Sequence, residues 1–303
     1  MFLHKSILSF FVIVSLFFWS SCDLKVAIPS YIHIDYMAVS TSAHPLYGSS
    51  SSKITDAWVY VDDQAIGAFE LPATVPILMT GVHTVTIKAG IKVDGIAELR
   101  SIYPFYEPYT ASMNLVAGIN NAIKINPTLV YSSSTIFQWE EDFESGLTFN
   151  STSFSDTTIN QTAPNPDPCT CPACPCSSDP KVFEGTYSGV IDLDAAHPYF
   201  SGETQNSYYL PSGSDPVFLE MNYKANQSFD VGIYANSTTN IQPIDIMTIN
   251  ASNTWNKIYI NLNTAVNSNT INANLYQVYI QVTKSDTVAY PEILLDNLKL
   301  IYL

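Results

Sequence analysis

Along most of the chain the hydrophobic and polar positions alternate with a period of two. Strands are therefore expected at 31–39, 57–61, 83–88, 112–116 and 122–130. A second group is expected at 137–143, 217–224, 229–235, 257–262, 275–282 and 293–301. β-Branched and aromatic residues fill these runs, and Ser, Asn, Gly, Pro and Asp cluster between them. No amphipathic helix longer than two turns stands out. Many short strands joined by polar turns predict an all-β protein built from sandwiches. A Ser-rich joint near Tyr131–Thr135 divides the chain into a small sandwich over 27–131 and a larger one over 136–303.

The alternation also sorts faces. In Val217–Lys224, Val217, Leu219, Met221 and Tyr223 form one side, and Phe218, Glu220, Asn222 and Lys224 the other. Around Phe229–Asn236, Tyr234 and Asp230 take the polar side. Tyr259 takes it in the strand after Trp255, and Gln277, Tyr279 and Gln281 take it in 275–283. An aromatic ring bordered by amides and carboxylates suits a sugar, which has apolar C–H faces and hydroxyl edges. Tyr234, Tyr259, Tyr279, Gln277, Gln281 and Asp230 are thus the candidate ligand-binding residues. The reading requires their strands to share a sheet; otherwise the tyrosines are ordinary strand residues.

Composition narrows the partners. Of 303 residues only 13% are charged, against 47% hydrophobic, and the net charge is −15. With 12 Lys and Arg against 27 Asp and Glu, nucleic acid is not an expected partner. Electrostatic docking on anionic lipid is not expected on the same ground.

The first residues read as an address. His4 and Lys5 precede a thirteen-residue, mostly apolar stretch, Ile7 to Trp19. It is too short to span a bilayer as a helix and suits a signal peptide. Ser20-Ser21-Cys22 follows, and residues 1–21 resemble a bacterial lipoprotein signal of the loose kind found in Bacteroidota-type envelope lipoproteins. The resemblance implies lipidation at Cys22, a tether over 22–26 and an envelope location, with the outer membrane the expected one. The other reading is an ordinary secretory signal that leaves Cys22 a free thiol.

Two further resemblances concern the sandwiches. Ala57-Trp58-Val59-Tyr60-Val61-Asp62-Asp63-Gln64, then Ile66-Gly67, Leu71-Pro72 and Gly81-Val82-His83, resemble a small β-sandwich of the PEGA type. His83 reads as a hydrogen-bonded structural histidine. The segment Tyr103–Tyr109 departs from that pattern; it is either an exposed partner-binding strip or a cap on its own core. Glu140-Glu141-Asp142-Phe143-Glu144, Phe183-Glu184-Gly185-Thr186-Tyr187-Ser188-Gly189, Trp255-Asn256-Lys257 and Leu295-Asp296-Asn297 resemble, in that order, the jelly-roll carbohydrate-binding modules. That resemblance implies a structural Ca²⁺ between the opening and closing strands, here at Glu140, Asp142, Glu144 and Asp296. Alternation puts the first three on one strand face, and the donors are the oxygens that Ca²⁺ takes.

Cys169, Cys171, Cys174 and Cys176 lie in a Pro-rich loop, 163–180. Two local disulfides, a thiolate metal clasp and an unpaired insertion are all open readings. No nucleophile motif or phosphate loop appears, so a non-catalytic protein is expected. Two roles follow: an interaction or structural role in an envelope assembly, or glycan binding through the second sandwich.

Overall fold

The computed structural model describes residues 27–42, 48–164 and 181–303. The expected Cys22 anchor and signal, and the four-cysteine cluster, lie outside the described residues. In the N-terminal sandwich the strands are β1 (Ser30–Ile34), β2 (Ala38–Ser40), β3 (Asp56–Val61), β4 (Gln64–Glu70), β5 (Ala73–Ile77), β6 (Gly81–Lys92), β7 (Arg100–Ile102), β8 (Tyr109–Leu115), β9 (Ile123–Ile125) and β10 (Thr128–Val130). One sheet runs β4-β3-β6, with β7 and β8 on different stretches of the free edge of β6. Facing it are β5-β1-β9 and the pair β2-β10. Where one strand was expected over 31–39 the chain breaks between β1 and β2, and 122–130 breaks likewise into β9 and β10.

The C-terminal sandwich contains β11 (Ile136–Glu141), β12 (Phe149–Ser151), β13 (Ile159–Gln161), β14 (Gly189–Asp192), β15 (Tyr199–Thr204), β16 (Tyr208–Tyr209), β17 (Val217–Ala225), β18 (Phe229–Asn236), β19 (Ile241–Ile249), β20 (Ser252–Asn261), β21 (Leu275–Thr283) and β22 (Glu292–Tyr302). A single turn of helix, α1 (Asn263–Asn267), follows β20. The first sheet has the order β13-β14-β22-β17-β20, with β11 also on β22. The second runs β12-β15-β21-β18-β19, with β16 also on β21. Every pairing within the two sheets is antiparallel. The protein is thus all-β, and this half is a jelly-roll sandwich. Its core gathers the inward sets of both sheets: Leu219, Met221 and Tyr223, Val231 and Ile233, Val278 and Ile280, Leu298 and Leu300.

Two strands carry a proline where a central strand has none. Pro76 in β5 and Pro243 in β19 lack the N–H that a second neighbour needs, and both strands are sheet edges.

The sandwiches meet over the outer face of the first C-terminal sheet. Phe218, Tyr259 and Ile301 leave their own domain's core and join Tyr103, Phe105, Tyr106 and Tyr131 of the N-terminal half. The rings interlock edge to face, with Tyr103 centred 4.7 Å from Tyr259 and 5.6 Å from Phe218. The Tyr103–Tyr109 segment is therefore not an exposed strip: Tyr103, Phe105 and Tyr106 are buried at this junction.

Charges are enclosed there too. Lys257 Nζ lies 2.6 Å from Glu220, both almost fully buried. The hydroxyls of Tyr103 and Tyr131 donate to Glu220 at 2.6 and 2.8 Å. Burial alone would raise the Glu220 carboxyl, but Lys257, Lys299 and these donors outweigh it and hold it below its ordinary value. Lys299 donates to the Ser49 carbonyl at 2.6 Å, and burial lowers it to about 8. His83 is hydrogen-bonded on both nitrogens, to Asp62 at 2.6 Å and to the Thr80 carbonyl at 3.1 Å.

Candidate ligand face and acidic strand end

Outward residues of β18 and β21 lie side by side. Asp230 pairs with Gln281, Gly232 with Tyr279 and Tyr234 with Gln277. The structure thus brings Tyr234, Tyr279, Gln277, Gln281 and Asp230 onto one face. Tyr259 is elsewhere: it sits in β20 of the other sheet, 1% exposed, and its hydroxyl accepts the Lys53 N–H at 2.8 Å. Alternation reports which side of a strand a residue takes, but not which sheet the strand joins, and that is why Tyr259 was grouped wrongly.

The face has a definite construction. Tyr279 lies flat across β18 over Gly232, and its hydroxyl donates to Asp245 on β19. A Cβ on residue 232 would come within 2.1 Å of the Tyr279 ring, so only glycine permits this crossing. Tyr234 rests on Tyr279, with ring centroids 4.5 Å apart and planes tilted by 35°. Tyr279 is itself 1% exposed, so it forms the floor and the half-buried Tyr234 offers the ring. Gln281 donates to the Tyr234 hydroxyl at 3.3 Å and to Ser201 at 3.4 Å. Gln277 donates to the Thr204 carbonyl at 2.7 Å and accepts from Asn236 at 3.0 Å. The Thr248 hydroxyl donates to Asp230 at 2.5 Å. Beside the ring pair lies a recess of about 300 Å³ lined by Asp230, Asp245, Met247, Thr248 and Gln281. Glu203 of β15 pairs with Tyr279 from the other side, and burial raises its carboxyl.

Sequence reasoning missed Gly232, Asp245, Thr248 and Glu203. A glycine inside a strand pattern was the available signal, since it marks close approach by another group. The edge strand supplying Asp245 and Thr248 was hidden by Pro243.

The acidic strand end is arranged differently from the expectation. Alternation stops at Glu141, because Phe143 takes φ +60° and the chain turns. Asp142 accepts the Glu144 N–H at 3.0 Å. Glu144 accepts the N–H groups of Thr186 and Tyr187 at 2.7 and 2.9 Å, over Gly185. Asp296 accepts from the Ser188 hydroxyl at 2.6 Å and from the N–H of Asn297 at 2.8 Å. Burial raises Asp296 to about 7. Burial also raises Glu140 to about 7, against the pull of Lys299. Oε1 of Glu140 is buried without a hydrogen-bond partner among the described residues. Asp142, Glu144 and Asp296 thus each accept from N–H or O–H donors. No group of three or more His, Cys, Asp or Glu suited to a metal occurs among the described residues. Glu140, Asp142, Glu144 and Asp296 are thus not gathered into one such group in this structure.

No family model and no curated protein matches the chain. Among solved structures it is similar to a carbohydrate-binding module of the β-sandwich superfamily, at 13% identity over 84% of this chain and 86% of that one, TM-score 0.34. It is similar to the family 11 carbohydrate-binding module from Clostridium thermocellum bound to a β-1,3-1,4-mixed-linked tetrasaccharide, at 12% identity over 56% and 96%, TM-score 0.35. A third is the enzymatically active domain of tailspike protein 4 of bacteriophage CBA120, at 13% identity over 51% of this chain, TM-score 0.34. The matched part spans only 19% of that tailspike chain. At these identities and TM-scores the likenesses assign neither a family nor a ligand.

Proposed function

We propose that the protein is a non-catalytic, lipid-anchored protein of the cell envelope that binds a neutral glycan on the outer face of the β12-β15-β21-β18-β19 sheet. The observation that carries this reading is the Tyr234–Tyr279 ring pair, flanked by Gln277, Gln281 and Asp230 beside the 300 Å³ recess. A ring open on one side takes the C–H face of a pyranose, and amides and carboxylates take its hydroxyls. The charge argues for a neutral sugar: none of the strands β12, β15, β16, β18, β19 and β21 contains Lys or Arg. Asp230, Asp245 and Glu203 would repel an anionic chain. A glycan array carrying neutral and uronic-acid polysaccharides tests this. Binding confined to neutral chains is expected, and a folded protein that binds none, or only anionic ones, refutes the reading.

A second reading is favoured by a row at one end of the same sheet. Tyr209 pairs with Leu275, and Ile241 lies beyond Asn236 on the far side of β18; the three are 45, 44 and 68% exposed. Such an apolar row suits a protein partner in an envelope assembly. Affinity purification from solubilised envelope should then recover a fixed partner that is lost with Leu275→Ser.

A further inference from the structure

The free end of the N-terminal sandwich carries an apolar surface that the glycan reading does not use. Ile28 is 65% exposed, Leu78 and Val82 74% each, Val116 45% and Ile119 55%. They come from three separate stretches of chain, yet the backbone binds those stretches into one tip. Ser30 pairs with Ile77 and bridges to Ala117. The Gly118 N–H donates to the Pro29 carbonyl at 2.8 Å. The Ser30 hydroxyl donates to the carbonyls of Ile77 and Met79 at 3.1 and 2.9 Å. Gly81 and Val82 pair with Leu115 and Asn114.

Two features of the tip identify its occupant. The contributing stretches, 27–32, 77–82 and 113–123, contain no Asp, Glu, Lys, Arg or His, in a chain of net charge −15. The apolar side chains cost little to dehydrate, and the Asp62–Asp63 turn and His83 that border Val82 at the same end suit a zwitterionic surface, not anionic headgroups. The position in the chain is the second feature. Ile28 follows Cys22 by six residues, a reach of at most about 20 Å. The tip is therefore the part of the described structure that the anchor segment holds closest to a bilayer.

We infer that this end of the N-terminal sandwich docks on the lipid bilayer, with Ile28, Leu78, Val82, Val116 and Ile119 entering the interface between headgroups and acyl chains. This rests on the envelope part of the proposed function and is independent of the glycan part. It also fixes an orientation. β6 starts at the tip with Gly81 and ends at Lys92, beside the bridge from Val93 to Tyr259 of the second sandwich. Twelve strand residues span about 40 Å. The jelly roll is thus held at that distance from the membrane, with the N-terminal sandwich as its base.

Hydrogen–deuterium exchange of the full chain, with and without phosphatidylcholine vesicles, tests the inference. Amides in 77–83 and 113–121 are expected to exchange at least about tenfold more slowly on vesicles. The triple variant Leu78→Ser, Val82→Ser, Ile119→Ser should lose that protection while keeping its exchange pattern at the domain junction. Val82→Trp, which adds interface-seeking area at an exposed position, should strengthen it. Equal exchange at the tip with and without vesicles overturns the inference. So does slowed exchange in concentrated protein without lipid, which would make a second copy of the chain the occupant. Loss of glycan binding moves none of these readouts, and the two proposals fail separately.

Discussion

β17 and β18 both turn a polar set away from the jelly-roll core, and the two sets have opposite surroundings. Glu220 and Asn222 of β17 are 0 and 1% exposed, because the N-terminal sandwich covers them. Asp230 and Tyr234 of β18 face open space beside the recess. The difference extends to charge type. The Lys residues within strands of this sandwich, Lys224, Lys257 and Lys299, all lie in the covered sheet, whereas the open sheet has none. In the covered sheet a carboxylate is matched by buried cations and phenols. In the open sheet, among the described residues, the carboxylates Asp230 and Asp245 accept only from hydroxyls, of Thr248 and Tyr279. Polar alternation therefore means two things in one domain: a buried junction where every charge needs a partner, and a hydrogen-bonded polar face that borders solvent.

The largest test of that contrast is at the junction. Glu220→Ala leaves Lys257 buried without its partner and should cost about 3–5 kcal/mol in urea unfolding. Glu220→Gln combined with Lys257→Met removes both charges and should recover most of that loss. A single variant that unfolds like the wild type would mean the junction is not closed in solution. Next in size is Gly232→Val on the open face. Its side chain collides with Tyr279, so a loss of about 1–3 kcal/mol is expected, together with weaker glycan binding. A variant with unchanged stability would show that Tyr279 does not cross β18.

The smallest expected effect is pH dependence at the covered sheet. Burial raises Asp296 and Glu140 to about 7 in the folded state, against ordinary values of 3.8 and 4.5. Between those limits the folded state holds protons that the unfolded chain has lost, so stability falls as pH rises from about 4 to 7. Lys299 works in a higher window: lowered to about 8 from 10.5, it adds stability as pH rises between the two. These groups together place a stability minimum near pH 7–8. Asp296→Asn should remove about 1 kcal/mol of the gain seen in melting on going from pH 7.5 to 5, solvent screening included. An unchanged pH profile in that variant counts against burial as the cause of the Asp296 shift.

How much was legible follows from the same contrast. Period-two patterning located β17, β18, β21 and β22 closely, since long strands repeat the signal many times whether one face is covered or both. It also put Tyr234, Tyr279, Gln277, Gln281 and Asp230 on outward positions, where the structure has them. It could not reveal that Tyr259 and Glu220 face a second domain, because a covered polar face and an open one have the same local sequence. Short strands such as β12, β13 and β16 have too few residues for a period to show. β19 was masked by Pro243, which an edge strand tolerates. The acidic run Glu140–Glu144 read as one strand face until Phe143 turned the chain.

Tyr234 is the proposed contact between the open sheet and a neutral glycan. Isothermal titration of a neutral polysaccharide into wild type and Tyr234→Ala, with urea unfolding of both, addresses it most directly. The account predicts that affinity falls at least about tenfold while stability changes by no more than about 1 kcal/mol, as suits a half-buried ring. Unchanged affinity in a folded Tyr234→Ala variant would contradict it.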